Sequence, residues 1–282
     1  MTVTRVFDRV AETDARSDAY RMRLLWNGAT PDINTKVWDL NTWLDQGREG
    51  ACVGFGFSHE AAAAPEKVTG ITNETARQWY FDAQRDDYWA GGAYPGASPV
   101  YEGTSTLAGA KVGVRYGHYT SYLWAKTEDE IARTVSNFGP VAIGVNWYEG
   151  MMDPDARGIL WPAGDMVGGH CTLIIGIIMP NQPLPSDWDY LTPEEIGTGL
   201  YVIHNSWGLG WGLNGRALIA RENIDRLLHE DGDACVLTRT HIDPEPVKPE
   251  PVLTQCGFFT KFINWLSGGK FECPRKGFKN GK

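Results

Sequence analysis

Four residues of this chain are of types that together perform nucleophilic acyl chemistry: Cys52, His170, Asn205 and Gln46. A thiol becomes a nucleophile when a base takes its proton, a third group holds that base, and N–H donors await the developing oxyanion. Cys52 stands in "DQGREGACVGFGFSHEAAAA", where a Gly-rich turn runs into an alanine-rich helical pattern. A helix starting there sets unpaired N–H groups and the positive end of the helix dipole beside the sulfur, which favours the thiolate. Gln46 precedes it across a turn containing Gly47 and Gly50, which could swing the amide back beside the thiol. "GGHCTLIIGI" sets His170 at the head of an apolar strand, behind two glycines that leave space around the ring. "VIHNSWGLGWGLNG" sets Asn205 at the end of another, where its side-chain oxygen could accept the His170 ring N–H while Trp207 shields that bond. His204 and Cys171, each adjacent to one of these residues on a strand, should face the other way. Taken singly, each residue also has an ordinary reading: a packed thiol, a strand-edge histidine, a turn-capping asparagine.

The elements that must position these residues divide the chain. Residues 1–35 form a polar N-terminal extension, expected to be partly helical around Arg9 to Leu25 and closed by the "NGATPD" turn. Residues 36–125 are predicted helical: Cys52 to about Glu66, "ITNETARQWYFDAQRDDY" with Thr72 or Asn73 as N-cap, and "EGTSTLAGAKVGVRYG" to Gly117. Residues 126–243 open with one more helix, "KTEDEIARTVSNFGP", whose Thr127 and Glu130 form a capping box. They then turn β-rich in "VAIGVNW", "CTLIIGIIM", "LYVIHNSW" and "RALIAR". A helical half followed by a strand half predicts an α+β protein of two subdomains with a cleft between them. Residues 244–253, "PEPVKPEPV" and its flank, read as a semi-rigid Pro-rich linker. The tail, 254–282, is basic and aromatic, and "FFTKFINWL" suits docking to a protein partner.

Composition removes several alternatives. The 282 residues carry a net charge of −9, which argues against a nucleic-acid partner, since that needs a clustered basic surface. No run approaches the ~20 apolar residues of a membrane span. The first residues lack the apolar core of a secretory signal, so the expected location is cytoplasmic, or virion-associated if the protein is virus-encoded. Five cysteines without CxxC spacing give no zinc site, and neither metal nor cofactor is expected. The thiols are expected to be reduced, Cys256 and Cys273 included.

Three segments together resemble the papain family of cysteine peptidases: "QGREGACVGFGFS" around Cys52, "GGHCTLIIGI" around His170, and "NSWGLGWGLNG" from Asn205 to Gly215. The last is the most specific. "YEGTSTLAGAKVGVRYG" and "NFGPVAIGV" match more weakly, and the likeness spans about residues 33–225. It implies the papain-like fold: a helical N-terminal half and a β-barrel-like C-terminal half with the active-site cleft between them. It implies a polypeptide substrate and an acyl-enzyme formed on Cys52, with His170 as base and Asn205 orienting the imidazole. Gln46 and the Cys52 backbone N–H would form the oxyanion hole. Gly103 and Thr104 would hold an extended peptide by backbone hydrogen bonds. Ser105, Gly168 and Cys171 would fall near the main specificity pocket, with Gly169 and Trp207 also lining the cleft.

The chain departs from the family pattern at Glu49, where a cysteine is usual, and at Val53, where an aromatic is usual. Glu49 would place a negative charge near the cleft and oppose thiolate formation. Only 51 residues precede Cys52, fewer than the family's usual inhibitory propeptide: either that control is absent, or the segment before about Thr35 performs a lesser version by lying across the cleft. The lack of signal and long prodomain suits a microbial or virus-encoded protein. Two other functions share the residues: an inactive papain-like module docked in a larger assembly, and a thiol amidase acting on cell-wall peptides.

Overall fold

The structure is a computed structural model that describes residues 6–12 and 14–244. The chain runs β1 (Arg9–Val10), β2 (Lys36–Val37), α1 (Cys52–Ala62), α2 (Asn73–Asp86), β3 (Thr104–Ser105), α3 (Thr106–Arg115), β4 (Ser121–Trp124) and α4 (Glu128–Asn137). It continues through β5 (Val141–Tyr148), β6 (Met166–Ile178), α5 (Pro193–Ile196), β7 (Leu200–His204), β8 (Arg216–Ala220), α6 (Arg221–His229) and β9 (Asp233–Thr238). The Pro-rich linker, apart from Pro244, and the tail proposed for docking lie outside the described residues, as do Cys256 and Cys273.

Helix α1 is buried along its whole length, Cys52 through Ala62. It therefore has no polar face and is packed from every side. Glycines make this possible on two of them. A Cβ at Gly54 would lie 2.5 Å from the Ala76 carbonyl oxygen and from Tyr80 N of α2, and one at Gly56 would lie 2.9 Å from Cys171 Sγ of β6. On the α3 side, a Cβ at Gly109 would meet Val53 Cγ1 at 2.6 Å. Val53 thus fills, as a compact β-branched side chain, the position where an aromatic is usual. The predicted α2 start is found with Thr72 as N-cap, its hydroxyl accepting from Thr75 N at 3.3 Å.

The second half is a seven-stranded sheet in the order β4-β9-β5-β6-β7-β8, with β2 added on β6. The order ends at β4 and β8, so the sheet is open; the barrel-like half is a sheet that does not close. Strand β6 pairs antiparallel with β5, Val145 opposite His170, and with β7, Leu173 opposite His204. The Pro-rich insertion after β6 is the β6–β7 connection and carries α5.

Several boundaries differ from expectation for local reasons. Arg9 and Val10 are strand, because they pair with Thr104 and Ser105 instead of continuing into a helix. The rest of that segment makes only short 3-10 turns, Ala15–Ala19 and Met22–Trp26. The Cys52 helix stops at Ala62, before Pro65, whose ring cannot continue it. The "EGTSTLAGAKVGVRYG" helix starts at Thr106, capped by Ser105, so Thr104–Ser105 stay extended. At Thr127 half the capping box forms: Glu130 N donates to the Thr127 hydroxyl at 3.3 Å, while the Glu130 carboxylate takes Lys126 N at 2.7 Å and Arg21 at 2.7 Å. Helix α6 and strands β4 and β9 lie in stretches that the sequence pattern had not singled out.

Gly54→Ala should lower stability by about 1–3 kcal/mol through overpacking. Gly210→Ala, with open space around it, should stay within about 0.5 kcal/mol. Chemical denaturation of the two variants checks this; equal midpoints would contradict the packing described for α1.

Candidate active site

Strands β6 and β7 deliver His170 and Asn205 to one end of the sheet. His170 Nε2 lies 2.9 Å from Asn205 Oδ1. The same oxygen accepts Ser206 N–H at 2.8 Å, which marks it as the amide oxygen and not its nitrogen. An acceptor can only face a donor, so His170 carries its proton on Nε2, and Nδ1 is the nitrogen with the lone pair. The ring is caged by aromatics: Trp147 at 4.8 Å edge-on, Trp207 at 5.0 Å, and Phe7 at 5.8 Å between centroids. Both His170 and Asn205 are buried, and in this dry surrounding their hydrogen bond is strengthened.

Gln46 is stitched to the same loop. Its backbone N–H donates to Ser206 O at 2.9 Å, and its side-chain oxygen accepts from the Ser206 hydroxyl. Its Nε2 donates to Glu49 O at 2.8 Å across the turn in which Gly47 takes φ +63°. The turn therefore ties the Gln46 amide to Glu49, three residues before α1 begins. Ser206, which this tether depends on, was not singled out in the sequence; its place in "NSWG" beside Asn205 was the available signal.

Cys52 is the first residue of α1 and is fully buried. Burial pushes its thiol up to about 11; a backbone hydrogen bond from Cys171 pulls the other way, and the charge of Asp8 adds to the rise. The acid that bears on the thiol is thus Asp8. Glu49 instead pairs with Arg77 of α2 at 2.8 Å, at the surface. Cys171 turns away from His170 into the core beside Gly56. His204 also faces the other side, its ring 4.4 Å from that of His59. Burial holds both of these imidazoles well below the usual histidine range, so they remain neutral.

The N-terminal segment runs between the two walls of the cleft. Arg9 and Val10 pair in parallel with Thr104 and Ser105, and Asp8 bridges to Gly169. The glycines are needed for this approach. A Cβ at Gly103 would lie 2.0 Å from Asp8 O, at Gly168 2.5 Å from Phe7 Cβ, and at Gly169 2.1 Å from Arg9 O. Phe7 lies against Trp207, ring centroids 5.8 Å apart. The Thr104 hydroxyl bonds to Asp87 at 2.8 Å, and the Ser105 hydroxyl caps α3 at Ala108 N, 3.0 Å away, while donating to Glu12. Ser105 is therefore committed to its helix. The Asp8 carboxyl sits over Gly50 beside Glu102, and burial together with Glu102 raises it above the usual carboxylate range.

Among the described residues no cluster of histidine, cysteine and acidic side chains could hold a metal ion, and no helix is long and apolar enough to cross a membrane. A thiol at a helix start, an oriented imidazole and a held amide are together suited to acyl transfer without further groups.

Comparison with known proteins identifies the family and the fold. The family model for papain family cysteine proteases matches residues 40–237. Among solved structures, xylellain, a cysteine protease from Xylella fastidiosa, superposes with a TM-score of 0.55 at 15% identity, covering 85% of this chain and 100% of that one. At that identity the likeness is one of fold. The digestive procathepsin L2 proteinase of Tenebrio molitor gives 0.43 at 17%, covering 83% and 78% of the two chains. Bromelain from Ananas comosus gives 0.42 at 17%, covering 71% and 94%. With most of its length inside the family match, this chain belongs to the papain family and is a cysteine peptidase.

Proposed function

We propose that Cys52 is the nucleophile of this peptidase, His170 its base and Asn205 the group that orients the base. The observation that carries this is the caged His170–Asn205 hydrogen bond, 2.9 Å long, which fixes the tautomer with its lone pair on Nδ1. His170 takes the thiol proton at Nδ1 and the sulfur attacks the peptide carbonyl. The oxyanion is met by the Cys52 backbone N–H and the Gln46 amide. The protonated imidazole then gives its proton to the leaving amine, and water hydrolyses the acyl-enzyme. An extended polypeptide lies between Gly103–Thr104 on one wall and Gly168–Gly169 on the other, with Trp207 beside it.

Residues 7–10 occupy this path and act as a built-in strap. In that state the thiol is neutral at physiological pH, so the enzyme is latent and not inactive. The signs of the two shifts agree. Asp8 and Cys52 are both raised when the strap is seated, so the closed form holds more protons than the open one. Closure is therefore strongest at acid pH. It weakens as pH rises from the ordinary carboxylate value through the raised value of Asp8, and again between the ordinary thiol value and about 11.

Turnover of a mixed peptide pool tests the assignment. Cys52→Ala should abolish it, His170→Ala should cut it by roughly a hundredfold or more, and Gln46→Ala by on the order of a hundredfold. Unchanged turnover in either of the first two would remove that residue from the mechanism.

The strap is tested separately with a small alkylating agent. In the full chain the rate of Cys52 alkylation should rise with a midpoint near pH 11. In Arg9→Glu, where a carboxylate faces Asp233, the midpoint should fall well below that. Coincident profiles would mean that residues 7–10 do not govern the thiol.

A further inference from the structure

The strap's arginine does more than cross the cleft. Along an extended strand Arg9 points away from the side of Asp8 and Val10, and its side chain is only 2% exposed. It enters a narrow recess beneath the cleft. At the bottom Nη2 donates to Asp233 Oδ2 at 2.6 Å and to the Asp231 carbonyl at 2.9 Å. The recess exists because residue 144 has no side chain. A Cβ on Gly144 would lie 2.6 Å from each of Arg9 Nε, Asp233 Oδ1 and Thr106 Oγ1.

We propose that this recess is a specificity pocket for an arginine side chain of the polypeptide substrate, with Asp233 as its selecting group and Gly144 as the residue that gives it room. The proposal rests on the peptidase reading above and deepens it by naming the substrate class. Its logic is that of a self-ligand: the strap occupies the cleft as a strand, so the side chain it inserts reports what the recess accepts. Asp233 is itself largely buried, at 16% exposure. When the strap leaves, its carboxylate faces the recess without its cation, which is costly away from water. A substrate guanidinium restores the pair; an apolar side chain leaves the charge uncompensated, and an acidic one opposes it. The recess also has capacity that Arg9 does not use. Asp233 Oδ1 and Thr106 Oγ1 are buried without a hydrogen-bond partner among the described residues, and a planar guanidinium can serve two acceptors at once. Lysine offers a point charge in place of that fork, so arginine should be favoured over lysine. The selected residue is adjacent to the one that sits over Gly50, two residues before the thiol, which is where Asp8 lies in the strap.

The experiment uses the full chain and fluorogenic peptides that differ at one position near the scissile bond, carrying arginine, lysine, leucine or glutamate. Wild-type kcat/KM should favour arginine over leucine by on the order of tenfold or more, with lysine between them and glutamate lowest. Asp233→Asn should bring the arginine-to-leucine ratio to about one, mainly through KM for the arginine peptide. Equal wild-type rates for arginine and leucine would overturn the pocket and leave the peptidase reading standing; this arm needs no variant to fold. An unchanged ratio in Asp233→Asn would also overturn it, assigning the Arg9–Asp233 pair to the strap alone. Turnover of none of the peptides, by the full chain and equally by Arg9→Glu in which the strap is unseated, would overturn the peptidase reading, and the pocket with it.

Discussion

Close approach between one helix and one strand is the constraint on which the site depends. Gly56 of α1 and Cys171 of β6 touch so nearly that a single added carbon at residue 56 would fall 2.9 Å from the sulfur. That contact joins the helical half to the sheet. It sets the start of α1, and Cys52 with it, beside the strand that carries His170. The thiol gains its position from the helix, the imidazole from the sheet, and the distance between them from two small residues. A helix buried on all sides suits this task, since packing on every face leaves its first residue little freedom to move.

The second constraint is electrostatic. Carboxyl groups crowd the cleft, Asp8 of the strap beside Glu102 near Gly50 and Asp233 of β9 opposite Gly144 of β5, and these would repel one another and a thiolate. Arg9 offsets the deepest of them. One short segment thereby does three things: it excludes water from the thiol, adds a negative charge beside it, and neutralises the acid in the recess. As proposed, latency and substrate choice share one piece of geometry: the group that seats the strap is the group a substrate would satisfy after the strap has gone.

Much of this was legible in the sequence, and the illegible part has a physical cause. Papain-family resemblance was carried by local runs whose chemistry is short-range: a glycine turn before Cys52, glycines before His170, and Asn-Ser-Trp-Gly. The α+β division followed from periodicity. A closed barrel did not follow, because closure depends on which strands become edges, and strand order is a long-range property. Arg9 read as part of a helical stretch because its partners, Thr104 and Asp233, are remote in the chain. Glu49 looked like the charge that would matter since it is near Cys52 in sequence; Arg77 draws it aside, and Asp8 takes its place. Gly144 and Thr106 lie in the weaker-matching runs "NFGPVAIGV" and "YEGTSTLAGAKVGVRYG" with no role of their own there, and only the fold places them at the bottom of one recess.

The central claim is that a single thiol, Cys52, is activated by the His170–Asn205 pair while Cys171 and Cys235 are buried packing residues. Peptide mapping by mass spectrometry after treatment with an epoxide electrophile addresses it directly. In Arg9→Glu, whose strap is unseated, the account predicts one adduct per chain among these three cysteines, on Cys52, lost when His170→Ala is added although the thiol is still present. Adducts on Cys171 or Cys235, or a Cys52 adduct formed equally fast without His170, would contradict it.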